Sequence, residues 1–384
     1  MKIQNPSHHV NAEFREPHQS SDWEVHLPEK LFFFKPARWF LLLIRPQRRE
    51  ENYWFTHLLL FWTYQEISKN NDLKLTMHEI LKDVALFVTD FDETITTEDS
   101  MELVGAAAYK HKPEFSPRWD FFANAYAADF KEHCSGQNND STDSSCISET
   151  TLEREERLQR GMHVVEDKSV RRVEAAGLFC GVPLERMLDQ AVNVKVRDGW
   201  WQLYRQLSAR KVSVVIASVN WSAELIGEVM RRGHTSALSG DSENEYCVEC
   251  ARVFANEMEI DENGQFTGRM KSVLRTGADK QLLLRELKGT LAGENVTQSA
   301  ADNAHGETQR GLVCYCGDSG TDFLALLEAD IGIIVGRRAS LLSKAKDCGV
   351  DVVPLREAGL STPPQRETDV NKRLYLIESW SELL

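Results

Sequence analysis

Short, unbroken apolar runs constrain this chain most. They fall at Val84–Val88, Val212–Ala217, Leu312–Cys316, Ile331–Val335 and Val352–Leu355. Each has the length of a strand, and a run without polar alternation suits a strand buried on both faces. Segments with helical spacing of apolar residues separate them: 98–133, 151–195, 221–232, 278–289 and 321–328. Strands alternating with helices predict an α/β fold, a doubly wound parallel sheet with helices on both sides.

The 384 residues suggest two or three domains at about 150 residues each. With 42% hydrophobic and 27% charged residues, wholesale disorder, collagen repeats and coiled coil are excluded as the main content. Lys and Arg total 45 against 59 acids, a net charge of −14. That balance argues against nucleic acid as a partner. Eight Cys are too sparse for a small disulfide scaffold. Residues 1–20 are polar and carry no apolar core of a cleavable signal, so a cytoplasmic location is expected, with organelle targeting left open.

Residues 1–80 differ in texture from the rest. Lys30, Lys35, Arg38, Arg45, Arg48 and Arg49 are interleaved with Phe32, Phe33, Phe34, Trp39 and Phe40, and a second aromatic run spans 53–64. Neither run offers about 20 uninterrupted apolar residues, so neither spans a membrane. Residues 30–64 read either as a membrane-surface or targeting segment or as part of an extension packed loosely on the main domain, and the second reading is favoured. The expected organisation is an extension over 1–80, a catalytic core over 81–97 and 198–384, and a helical cap over 98–197. Residues 135–148 and 292–310, rich in Ser, Asn, Gly and other small or polar residues, read as flexible insertions.

Chemistry gathers at the ends of the apolar runs. The first leads into Thr89-Asp90-Phe91-Asp92-Glu93-Thr94, the second into Ser218-Val219-Asn220-Trp221, and the third into Gly317-Asp318-Ser319-Gly320-Thr321-Asp322. Lys280 lies between the last two, near a helix start. The carboxyl edge of a parallel sheet is where ligands bind in open α/β folds. Together these residues read as a phosphoryl-transfer site for a small phosphorylated metabolite. A phosphate monoester is a dianion, so an attacking carboxylate needs its charge cancelled. Mg²⁺ held by carboxylates does this, with Lys280 adding positive charge and Ser218 a hydroxyl donor. Asp90 is the expected nucleophile, forming an aspartyl-phosphate. Asp92 protonates the leaving oxygen and then activates water, a role that neighbouring carboxylates favour.

This order resembles the haloacid dehalogenase superfamily of phosphatases, over about residues 83–356. Its first motif matches Asp90, Asp92 and Thr94, its second Ser218, its third Lys280, and its fourth Asp318 and Asp322. The resemblance implies Mg²⁺ bound by Asp90, the backbone carbonyl of Asp92, and Asp318, with Asp322 close by. Asp92 argues against a true dehalogenase, and the lack of a D-K-T-G-T string against a P-type ATPase. Ala255–Ile260 followed by Asn263-Gly264 and Thr267-Gly268 looks like the hairpin of the phosphoserine-phosphatase-like branch, and Asn-Gly is itself a hairpin signal. About 125 mostly helical residues between Asp92 and Ser218 are similar to that branch's cap.

Ser218–Ile226, Gly317–Val335, Gly349–Leu355 and Leu374–Leu383 also resemble the phosphatase domain of plant bifunctional aminopyrimidine aminohydrolase/thiamine monophosphate phosphatases. That implies thiamine monophosphate as substrate. The family's aminohydrolase half has no room here. Phosphoserine, a pyrimidine nucleotide and pyridoxal phosphate stay open as substrates. The rival from another class is a catalytically silent binding module.

Weaker features have bland and functional readings. Cys247 and Cys250 form a C-x-x-C without a partner pair, so a metal site there is disfavoured. One of Cys314 and Cys316 is expected in the core. Trp221 either stacks on a substrate ring or packs its helix, while Trp200 and Trp201 read as core. Asp99 and Glu102 could meet a cationic substrate, but a solvated first helical turn is favoured.

Overall fold

Every apolar run becomes a strand. In chain order the strands are β1 (Val84–Thr89), β2 (Ser213–Ala217), β3 (Arg252–Phe254), β4 (Glu257–Ile260), β5 (Phe266–Lys271), β6 (Leu312–Gly317), β7 (Ile331–Val335), β8 (Asp351–Pro354) and β9 (Arg373–Ile377). The helices are α1 (Met101–His111), α2 (Trp119–Asn139), α3 (Thr151–Gly161), α4 (His163–Ala176), α5 (Leu184–Leu188), α6 (Trp200–Ala209), α7 (Ala223–Leu238), α8 (Gly277–Ala301), α9 (Phe323–Glu328) and α10 (Ala339–Asp347). The computed structural model describes residues 80–139, 149–238, 251–271, 273–301, 311–358 and 373–384.

Seven strands form one sheet in the order β3-β2-β1-β6-β7-β9-β8. Every pairing in it is parallel. The apolar runs have their cause here, because alternate residues feed two cores. Phe87, Cys314, Cys316, Ile333 and Val335 face one, while Leu86, Val88, Val313, Tyr315 and Ile334 face the other. Cys314 and Cys316 are therefore both buried, on the same face, with their sulfurs 3.9 Å apart. The edge strands are short, and Pro354 ends β8. A short edge with proline offers little template for another chain.

The sheet order reverses between β1 and β6, since the chain first adds β2 and β3 on one side and then β6 and β7 on the other. That switch point opens a crevice at the strands' carboxyl ends. Between β1 and β2 lie α1 to α6. The chain leaves and re-enters the sheet layer side by side: Thr96 bridges Val196, Thr97 N–H donates to Lys195 O at 2.9 Å, and Arg197 N–H donates to Ile95 O at 2.8 Å.

The hairpin β4–β5 forms around Asn263-Gly264, with Gly264 at φ +75° and the Asp261 carboxylate accepting from the N–H groups of Asn263 and Gln265. It docks on the helices inserted after β1. Gln265 bridges Pro183, and Met270 N–H donates to Glu174 Oε1 at 2.8 Å.

Two expectations need correction. Residues 135–139 complete α2, and 292–301 complete α8. Once a helix is nucleated, each added residue costs little, and Ala292, Glu294, Ala300 and Ala301 favour continuation. The remainders, 140–148 and 302–310, lie outside the described residues, as do residues 1–79 with the aromatic stretch 30–64, and Cys247 with Cys250. Among the described residues no helix is long and apolar enough to cross a membrane.

Candidate active site

Strand register brings the motifs together. Thr89 pairs with Ile216 on one side and with Cys316 on the other. Asp90 therefore leaves the sheet between Ser218 and Asp318. Asp318 stands at the mouth of β6, where Gly317 is required: a Cβ there would lie 2.4 Å from the Asp322 side chain. Lys280 arrives from the first turn of α8. That turn is fixed by a reciprocal cap, in which Asp279 Oδ2 accepts from Thr276 N–H and Thr276 Oγ1 accepts from Asp279 N–H.

Asp90, Asp318 and Asp322 are all buried, and each offers an oxygen within 4.8 Å of the others. The Lys280 ammonium, fully buried, sits between two of them, 2.9 Å from Asp90 Oδ1 and 2.8 Å from Asp322 Oδ1. Tyr315 Oη also donates to Asp322 Oδ1, while Ser319 N–H and Oγ donate to Oδ2. Asp322 thus has both oxygens engaged and orients Lys280. Thr94 Oγ1 donates to Asp318 Oδ1 at 3.0 Å.

The charges follow from this packing. Burial, then the Asp322 charge, drives the Asp90 carboxyl well above its ordinary range, with Lys280 opposing. Burial and Asp322 likewise push Asp318 up to about 6, against Arg338 and Thr94. Burial alone would raise Asp322 too, but Lys280, Tyr315 and Ser319 outweigh it and hold it below its ordinary value. Burial disfavours the charged Lys280, yet Asp322 and Asp90 keep it raised. Three buried carboxylates facing the Lys280 ammonium and the Arg338 guanidinium still leave one formal negative charge to spare. An oxygen-only donor set with that surplus fits a hard divalent cation.

Asp92 lies beside the cluster and is held on both oxygens. Ser100 N–H and Oγ donate to Oδ1 at 2.7 and 2.6 Å, and Asn220 Nδ2 donates to Oδ2 at 2.8 Å. Ser218 is buried, and its Oγ accepts from Asn220 N–H at 3.1 Å. The second motif thereby supports Asp92 through Asn220.

Sequence reasoning assigned no role to Ser100, Asn220, Tyr315 or Arg338. Arg338 follows β7 at the same sheet edge, and its Nε and terminal nitrogen reach Asp318 Oδ2 at 2.9 and 2.8 Å. It also contacts the Glu93 carboxylate. A cation directly after an apolar run, as in Gly336-Arg337-Arg338, was the available signal.

The open readings resolve toward packing at the tryptophans. Trp221 is buried edge-on against Trp119 with ring centroids 6.3 Å apart. Trp200 is fully buried against Trp380, centroids 5.1 Å apart. Asp99 is exposed just before α1, where its Oδ1 accepts from Met101 N–H at 2.7 Å, and Glu102 is exposed in the first turn of α1.

The inserted helices carry an acid of their own. Glu166 on α4 accepts a 2.7 Å hydrogen bond from Tyr126 Oη on α2. Burial, with a smaller push from Asp167, raises its carboxyl to about 7 against the lowering influence of Tyr126 and Arg275. A raised carboxyl binds more protons folded than unfolded, so its stabilising contribution is present at low pH and is lost as pH rises through about 7. At about 1.4 kcal/mol per pKa unit the penalty is about 3 kcal/mol, trimmed by partial exposure to about 2. Glu166→Gln is therefore expected to match the parent's stability near pH 4.5 and to exceed it by about 2 kcal/mol at pH 8. Urea unfolding at both pH values checks this, and a constant difference would contradict it.

No protein-family model matches the chain. A CTO1 family protein of Schizosaccharomyces pombe is 28% identical over 309 residues, covering 77% of this chain and 96% of that protein. Cold tolerance protein 1 of Saccharomyces cerevisiae is 23% identical, covering 78% and 96%. The mitochondrial bifunctional TH2 protein of Arabidopsis thaliana is 22% identical, covering 84% of this chain and 52% of that protein. Among solved structures, a phospho-aspartyl intermediate analogue of phosphoserine phosphatase aligns with 68% of this chain and 90% of its own, at 14% identity and TM-score 0.36. Cytosolic 5′-nucleotidase IIIB bound to cytidine aligns with 71% and 82%, at 14% identity and TM-score 0.37. In parallel-sheet order, inserted helices and the placement of its four motifs, the chain resembles the haloacid dehalogenase superfamily and its phosphoserine-phosphatase-like branch.

Proposed function

We propose that the chain is a Mg²⁺-dependent phosphomonoester hydrolase that acts through an aspartyl-phosphate, with thiamine monophosphate as its substrate. The observation that carries this reading is the fully buried Lys280 held between Asp90 and Asp322, within a three-carboxylate cluster. Such an arrangement costs folding energy and suits a site that must receive a dianion. Asp90, Asp318 and the Asp92 carbonyl would hold the metal, which supplies positive charge against the phosphate.

The residues divide the work. Asp90 attacks phosphorus as the bond to the ester oxygen breaks, and Asp92 gives that oxygen its proton. Asp92 then takes a proton from water, the water oxygen attacks phosphorus, and the Asp90 carboxylate leaves. Ser100 and Asn220 keep Asp92 aimed through both transfers. Lys280 and Ser218 face the phosphoryl oxygens with positive charge and a hydroxyl.

Support for thiamine monophosphate comes from the resemblance of Ser218–Ile226, Gly317–Val335, Gly349–Leu355 and Leu374–Leu383 to the plant phosphatase domain. The test is phosphate release with Mg²⁺ across thiamine monophosphate, phosphoserine, pyrimidine nucleotides and pyridoxal phosphate. The expected result is a kcat/KM for thiamine monophosphate at least about tenfold above the others, a margin of about 1.4 kcal/mol in transition-state binding. Preference for another member keeps the chemistry and discards the substrate. Release from none of them overturns the reading in favour of a silent binding module.

A further inference from the structure

The Arg338 guanidinium has two anionic seats. One is Asp318, whose side chain is 6% exposed and whose Oδ2 takes two of its nitrogens at 2.9 and 2.8 Å. The other is Glu93, 42% exposed at the rim. Glu93 does not drift into place. Its backbone is left-handed at φ +56°, a conformation that is strained for a non-glycine residue. Thr96 Oγ1 accepts from Glu93 N–H at 2.9 Å, and Arg197 donates to Glu93 O at 2.6 Å. The chain spends conformational energy to hold a surface carboxylate beside Arg338.

We propose that Arg338 is a resident counter-cation of the aspartate cluster, seated on Asp318 until a divalent cation needs that carboxylate, and then retained by Glu93 alone. The inference rests on the Mg²⁺ reading above. A guanidinium touching a ligand oxygen repels an incoming metal ion. Without Glu93, releasing Asp318 would leave Arg338 unpaired. With Glu93 in place, the exchange swaps one carboxylate for a second contact on another. Arg338 therefore weakens metal binding while protecting the empty cluster from its own repulsion, and Glu93 strengthens metal binding by drawing Arg338 away.

The two residues should move Mg²⁺ affinity in opposite directions. Calorimetric titration of the full chain with MgCl₂ is expected to show Arg338→Gln binding about tenfold tighter and Glu93→Gln binding several-fold weaker than the parent. In EDTA, Arg338→Gln is expected to melt below the parent, and Arg338→Lys to fall between the two. If Arg338→Gln instead binds Mg²⁺ more weakly, Arg338 only positions Asp318 and the exchange is wrong. Unchanged affinity in both variants sinks it as well. A parent chain that takes up no Mg²⁺ refutes the metal reading itself, which separates that failure from a failure of Arg338's role.

Discussion

Asp90→Asn should lower phosphate release by about four to six orders of magnitude, the scale seen when a covalent nucleophile is removed. The same substitution should leave the chain as stable as the parent or more so. The Asp90 carboxyl is raised by burial first and by Asp322 second, which means its ionised form is costly in the folded state. A raised carboxyl penalises folding increasingly as pH climbs above its ordinary range. Asparagine has the same shape without the charge, and Lys280 keeps Asp322 as its partner. The stability gained by the variant should therefore grow from pH 4 to pH 8. Phosphate release and calorimetric melting, run on one preparation, give both results. Turnover at the parental rate would remove Asp90 from the chemistry, and a melt well below the parent would mean that its ion pair outweighs its burial cost.

The edge that holds the candidate site was legible because two constraints coincide there. Strands buried on both faces read as apolar runs, and the residue that ends such a run must sit at the sheet edge. Asp90, Ser218 and Asp318 are placed by that rule alone. β3 has only three residues, too few to stand out as a run, whereas β9 carries the buried run Leu374–Ile377, short and close to polar residues on both sides, which the reading of the sequence did not take as a strand. β9 also enters between β7 and β8, an order no local pattern encodes. The hairpin announced itself through Asn263-Gly264, but its docking on the inserted helices depends on Gln265 and Met270 meeting Pro183 and Glu174 from far away in the chain. Asn220 and Arg338 escaped for a different reason. A single amide or cation after a strand is usually a cap or a solvated side chain, and only the fold shows that each one faces an aspartate.

Lys280→Met carries the largest expected effect on stability. Its ammonium is wholly buried and bonded to two buried carboxylates. Methionine fills much the same volume, so the loss is electrostatic. Removing one partner of a buried ion pair costs about 3–5 kcal/mol, because the remaining charge is left uncompensated. For a chain of this size that corresponds to a melting temperature about 4–6 °C lower. The pH dependence fixes the cause. Lys280 is the main influence holding the Asp322 carboxyl down against burial. A depressed carboxyl adds stability above its unfolded value, and that stability is lost as pH falls through the folded one. Without Lys280 the Asp322 carboxyl rises, the sign reverses, and stability declines as pH climbs. The gap between variant and parent should then be widest near pH 8 and narrow toward pH 5. Mg²⁺ should narrow it further by supplying positive charge to the same carboxylates. A variant that melts within about 1 °C of the parent at pH 8 would show that the carboxylates do not depend on Lys280 for their charge. A gap that ignores pH would point to lost packing instead.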